Sequence, residues 1–215
     1  MNEKSQFWKE RAIWLARFTI VYNLLEGFVS IGFGVKDEAL SLAGFGADSF
    51  IEVASAFVVL WRLRRETGAD SPLSLDAERR ATHIIGWLFL ALAAVAASAA
   101  VMRLVMRGAP DTTVPGLVIS VLSLSFMFYL WSAKLRAGRA LDSATIMKDA
   151  ACSLACIQLS FVLFAGSLLY IALPALWWAD AAAAILIAGF IAREGVGTVR
   201  AARRPDFKGG CGCCS

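Results

Sequence analysis

Apolar residues along this chain gather into six runs separated by short polar stretches, at about 12–35, 40–61, 81–105, 114–133, 146–173 and 177–196. At 1.5 Å per residue, roughly 20 helical residues cross the ~30 Å hydrocarbon core of a bilayer, so runs of this length predict membrane-spanning helices. Only Lys36-Asp37-Glu38 separates the first two runs, which predicts a tight antiparallel hairpin. An arginine-rich stretch with many turn residues, 62–80, precedes the third, whose alanine-rich middle suits close helix packing. The segment RGAPDTT leads to the fourth, apolar apart from Ser120, Ser123 and Ser125. A basic connector from Lys134 to Arg139 predicts a break before the fifth, and Pro174 marks a short turn before the sixth. The pattern predicts an all-α membrane protein. Residues 1–200 form a bundle of six transmembrane helices, and 201–215 a short tail containing cysteines.

Composition removes the soluble alternatives. With 59% hydrophobic and 18% charged residues, the chain is too apolar for an ordinary water-soluble domain. A net charge of +4, spread over the connections, speaks to membrane orientation and not to nucleic-acid binding. Lysine and arginine concentrate in the N-terminus, the 62–80 stretch, the 134–139 connector and the tail. The opposite connections hold Lys36, Arg103 and Arg107. The positive-inside rule then predicts both termini in the cytoplasm, with a multi-pass protein in the cell membrane. Trp8, Trp14, Trp61, Trp87 and Trp131 fall near the predicted inner boundary, and Trp177, Trp178 and Tyr170 near the outer one. The N-terminal stretch MNEKSQFWKERAIW lacks an apolar core and a small-residue cleavage site, so it reads as uncleaved.

Chemistry enters with the second run, LSLAGFGADSFIEVASAFVVLW, which carries Asp48 and Glu52 near its middle. A central carboxylate costs ~2.5–3.5 kcal/mol on insertion scales. At i, i+4 the two share one helix face and repel, unless a cation lies between them or a proton sits on one. The alternative is a polar stripe inside a bundle. The fifth run, IMKDAACSLACIQLSFVLFAG, has Cys152 and Cys156 at the same spacing, one turn from Asp149. A lone cysteine in an apolar helix is a small buried hydrophobe; a pair in helical register beside an aspartate is more specific. Phe57-Val58 follows Glu52 as Phe161-Val162 follows Cys156, a faint internal echo of the kind a duplicated three-helix unit leaves.

These motifs resemble the transmembrane domain of the cation diffusion facilitator (cation efflux) family. NLLEGFVSIGFG in the first run, with Asn23, Glu26 and Gly27, resembles that family's N-x-x-E-G opening. DSFIEVAS resembles its D-S-x-x-D motif, with Glu52 for the second aspartate, and WWADAAAAILIAGFIAREG resembles its W-x-x-D-P-x-x-A segment, with Ala181 for the proline. The resemblance implies a divalent-metal transporter, not an enzyme, that exports metal by proton antiport and forms a homodimer. The family's tetrahedral site, an acidic pair on helix two and His-x-x-x-Asp on helix five, would become Asp48, Glu52, Cys152 and Cys156. Two carboxylates and two thiolates suit Zn²⁺, tilt toward softer ions such as Cd²⁺, and disfavour Mg²⁺ and Ca²⁺. Metal ion and protons are then substrates, with no permanent cofactor and no nucleic-acid partner.

Other roles stay open at this point. Asp149 is an alternative ligand or proton acceptor, since the family's histidine is missing. Glu26 and Asn23 either support the site or are simply hydrogen-bonded within the bundle. His83, the single histidine, reads as an interfacial polar residue, and Arg193 and Glu194 as boundary charges. In the tail, Cys211, Cys213 and Cys214 are suited to capturing metal, with acylation as the alternative. The family's soluble C-terminal domain is missing, with only the short tail after the sixth run. Two rival classes remain: a membrane thiol oxidoreductase using Cys152 and Cys156, and a metal sensor that does not transport.

Overall fold

A computed structural model describes residues 3–36, 40–64, 75–107 and 114–207. Among the described residues the apolar runs form six α-helices, α1 Glu3–Lys36, α2 Leu40–Arg64, α3 Leu75–Met106, α4 Val114–Ala140, α5 Ala144–Ala172 and α6 Ala179–Arg203, with a 3-10 turn at Pro174–Leu176. Among the described residues there is no strand.

The helices pack mainly as pairs, α1 on α2, α3 on α6 and α4 on α5, with α2 and α5 meeting in the interior. Small residues set two close approaches. A β-carbon on Gly46 of α2 would lie 2.7 Å from Ile31 Cγ1 and 3.0 Å from the Gly27 carbonyl oxygen of α1. On α3, a β-carbon at Gly86 would lie 3.0 Å from the Val199 backbone nitrogen of α6. Without these glycines the backbones could not meet so closely, and close backbone approach replaces the missing hydrophobic drive between helices in lipid. Gly86 meets Val199 while Ala100 clusters with Ala181 and Ala184, so α3 and α6 run antiparallel.

Two connections differ from the sequence expectation. Residues 134–139 are not a connector: α4 continues as a helix to Ala140, and Lys134 is 2% exposed. The reason lies in the helical period. Ser123, Met127, Leu130, Lys134 and Ala137 recur every three or four residues on one buried face, so the lysine takes the place an apolar residue would hold. The break comes instead at Leu141–Ser143. There Asp142 adopts a left-handed φ of 45°, Ser143 donates its N–H to the Gly138 carbonyl at 3.0 Å, and Ser143 Oγ caps α5 by accepting from Ile146 N at 3.3 Å. The 62–80 stretch is likewise helical at both ends. Arg62 and Glu78 are each 2% exposed and form an ion pair between α2 and α3. Ser143 Oγ (3.0 Å) and Thr145 N (2.7 Å) also donate to Glu78, tying α5 to that end of the bundle. Two basic residues counted toward orientation are therefore interior ones.

Among the described residues four helices, Ser5–Gly32, Leu75–Met106, Ala144–Ala172 and Ala181–Arg203, are long and apolar enough to cross a membrane. About a third of each spanning window is buried inside the protein. The outward faces carry Val21, Leu25 and Phe28 on α1, Met102 and Val105 on α3, Phe161 and Ile171 on α5, and Leu186 and Phe190 on α6, all exposed. So much contiguous apolar surface fits lipid and not water.

Candidate cation site at the α2–α5 interface

Many of the polar groups that the apolar bundle buries line the seam where α2 crosses α5 antiparallel, with α1 and α4 on either side. Asp48 and Glu52 on α2 and Cys152 and Cys156 on α5 are all 6% exposed or less, and the helical i, i+4 spacing turns each pair toward the other helix. Cys156 Sγ donates to Asp48 Oδ1 at 2.9 Å, a direct link between the two helices. Cys152 and Cys156 are both free thiols. One turn further along, Ser55 Oγ of α2 donates to Asp149 Oδ1 of α5 at 2.6 Å.

Glu52 is the residue on which the arrangement turns. Its Oε2 accepts from Asn23 Nδ2 of α1 at 3.1 Å, and the same amide donates to the Thr19 carbonyl at 3.0 Å. Glu52 Oε1 accepts no hydrogen bond among the described residues, and Asn23 Oδ1 is likewise orphaned. The nearest charge is the Lys134 ammonium, 3.9 Å from Glu52 Oε1. That ammonium lies 3.1 Å from Asp149 Oδ2 and donates to Ser153 Oγ at 2.9 Å. Glu52 is thus drawn toward α1 and α4. Among the described residues no three His, Cys, Asp or Glu side chains converge tightly enough to form a metal shell. A buried carboxylate oxygen without a hydrogen bond is a costly group, and a cation is its natural complement.

The residues singled out from sequence divide accordingly. Asp48, Glu52, Cys152 and Cys156 come to one interface, with Asp149 a turn away from Cys152 and bound to Lys134 and Ser55. Asn23 touches Glu52 directly. Glu26 accepts from Tyr22 Oη and Ser49 Oγ, each at 3.3 Å, so it joins α1 to the residue beside Asp48. His83 is at the other face, accepting from Arg203 Nε at 3.2 Å. Glu194 pairs with Lys148 at 2.5 Å in a partly exposed position, as a boundary charge would. Cys211, Cys213 and Cys214 lie outside the described residues. A cleft of about 560 Å³ is lined by Ala151, Leu154, Ala155 and Gln158 of α5 with Phe89, Ile191 and Arg193; this is the other side of α5 from Cys152 and Cys156.

Sequence reasoning missed Lys134, Ser55 and Ser153. The signal for Lys134 was present: it lies in the same three-and-four register as Ser123, Met127 and Leu130.

The fold and the site define a helical membrane protein with a buried carboxylate and thiol cluster between two of its helices. Over 193 residues the chain is 25% identical to Transmembrane protein 163 of Xenopus laevis, an alignment covering 90% of this chain and 68% of that protein. No protein-family model matches the chain.

Proposed function

We propose that this protein is a six-span transporter of divalent transition metal, with Zn²⁺ or Cd²⁺ as substrate, carried out of the cytoplasm across the cell membrane in exchange for protons. The observation that carries the reading is the thiol of Cys156 donating to Asp48 on the helix that also carries an orphaned Glu52 oxygen, all buried within the bundle. A metal arriving between α2 and α5 would replace the thiol proton on Asp48 and give Glu52 Oε1 the close partner it lacks. Asp48, Glu52, Cys152 and Cys156 are the ligands in this scheme. Binding then requires Glu52 to swing from its partners on α1 and α4 toward the sulfurs, so the ion and the helix contacts compete. Such competition is what alternating access needs, since one ligand set favours one packing. Return of a proton to the emptied thiol and carboxylates restores neutrality, which is costly to forgo in the membrane interior.

The direction of transport, two cytoplasmic termini and a homodimer built from membrane helices follow from the cation diffusion facilitator resemblance and the lysine and arginine pattern. The rival thiol oxidoreductase is disfavoured by burial, because both sulfurs are fully enclosed, whereas exchange requires an accessible thiolate. Zn²⁺ uptake into proteoliposomes carrying a zinc indicator and an imposed pH gradient tests the reading. Flux that rises with the gradient supports it. Tight Zn²⁺ binding without flux would make the protein a sensor instead.

A further inference from the structure

Lys134 enters the transport reading only as the α4 partner that Glu52 leaves, and the structure gives it more to do. A lysine at 2% exposure within an apolar helix is rare, since its charge must be matched by partners of its own. Here they are all present. Its ammonium contacts Asp149 Oδ2 at 3.1 Å and Ser153 Oγ at 2.9 Å on α5, and lies 3.9 Å from Glu52 Oε1 on α2. Asp149 is held from the far side by Ser55 Oγ at 2.6 Å, and Ser153 Oγ donates its own proton to the Asp149 backbone carbonyl at 3.4 Å. The Asp149 contact is close and braced, while the Glu52 contact is long and lacks a hydrogen bond. The ammonium therefore has one firm anchor and one loose one. The loose one is a proposed metal ligand.

We propose that Lys134 is a tethered cation that holds Glu52 in the metal-free protein, releases it to an incoming divalent ion while staying on Asp149, and on return helps to expel that ion. The inference rests on the transport reading and deepens it by naming the residue that sets affinity and release. The lysine stays charged throughout, so nothing in the step depends on its titration. A flexible four-carbon stem lets its head move between the two carboxylates while the chain stays in place. The charge count also favours the exchange. With Lys134 committed to Asp149, Asp48 and Glu52 are left to meet a +2 ion. With Lys134 near Glu52, the same two carboxylates face less net attraction for one. A mobile internal cation also raises the threshold for hard ions, which gain nothing from the sulfurs to offset it.

The test uses the full-length protein in detergent and in proteoliposomes. Zn²⁺ affinity is read by competition with a chromophoric indicator, and KM and turnover are read from flux. Lys134→Met alone would leave Asp149 buried and uncompensated, so the decisive variant is the double change Lys134→Met with Asp149→Asn. That pair keeps the total charge, and the amide oxygen it introduces can still accept from Ser55. Without the tether, Zn²⁺ binds roughly tenfold tighter, because the pair removes one charge of each sign and leaves Glu52 without the ammonium, 3.9 Å away, that competes with the ion for its oxygen. KM falls and turnover falls with it, since release has lost its competitor. Lys134→Arg, whose rigid fork grips two carboxylates at once, shifts KM the opposite way. A folded double variant with unchanged or weaker Zn²⁺ affinity overturns the proposal, as does a shift of KM in the same direction in both variants. Wild-type protein that neither binds nor moves Zn²⁺ would overturn the transport reading itself, a result distinct from either of these.

Discussion

Cysteine in place of a nitrogen or oxygen ligand changes which ion a site prefers, and Cys152 and Cys156 are placed to do this. Both face the seam, both are free, and Cys156 already touches the carboxylate with which it would share a metal. Replacing them by the pattern of the resembling family, Cys152→His with Cys156→Asp, substitutes a borderline and a hard ligand for two soft ones. Zn²⁺ transport should persist while the Cd²⁺/Zn²⁺ preference falls, because Cd²⁺ gains more from thiolate. Metal competition during flux reads this directly. An unchanged preference, with Cys152→Ala still active, would make the cysteines packing residues and move the site toward Asp149 and Glu26.

Helices α3 and α6 meet through close backbone contact between glycines. Gly86 and Gly195 meet at the crossing, where a β-carbon on Gly195 would fall 2.9 Å from Phe89 Cβ and 3.1 Å from the Gly86 carbonyl oxygen. At Gly86 the nearest obstacle is Val199 Cγ2 at 2.7 Å, and behind it stand the Val199 nitrogen at 3.0 Å and the Gly195 carbonyl oxygen at 3.3 Å, so a rotamer change alone does not clear the space. Gly86→Ala should therefore destabilise the protein by about 1–3 kcal/mol, the usual range for overpacking, and lower its thermal midpoint in detergent. Zn²⁺ affinity of the folded fraction should be little altered, since neither glycine touches α5's polar face. A midpoint equal to wild type would mean that the two helices can slide apart freely. By contrast, α2, α3 and α5 are fastened at one end by the buried Arg62–Glu78 pair and the donors Ser143 and Thr145. Removing one partner of such a pair is strongly destabilising, which makes that end of the bundle a poor candidate for a moving part.

The assembled molecule buries its carboxylate and thiol cluster along the α2–α5 seam, ties α2, α3 and α5 at one end through Arg62 and Glu78, and exposes apolar side chains on its outer faces. With both termini proposed to be cytoplasmic, Lys36 at the end of α1 is on the outer side. A Lys36→Cys variant in a background stripped of native cysteines should react with a membrane-impermeant thiol reagent added outside. Labelling only from the cytoplasmic side would reverse the topology and with it the transport direction. For the proposed homodimer, mass photometry in mild detergent should show twice the mass of one chain. A monomer across a wide concentration range would remove the dimer without touching the site.

What the sequence determined by itself follows from two strong signals. Long apolar runs force helices in lipid, because every backbone polar group must be satisfied within its own segment. The i, i+4 spacings of Asp48 with Glu52 and of Cys152 with Cys156 fix each pair on one helix face whatever the tertiary structure. Which faces meet is another matter. That α2 and α5 cross with Cys156 against Asp48, and that α3 finds α6 across the length of the chain, depends on the packing of residues far apart in sequence. Charge misled for the same reason. Lys134 and Arg62 look like ends of connections when read locally, where a basic residue after an apolar run signals the membrane surface. Only the tertiary structure supplies Asp149 and Ser153 to one and Glu78 to the other, and a charge can stay inside a bundle once its partners are brought to it.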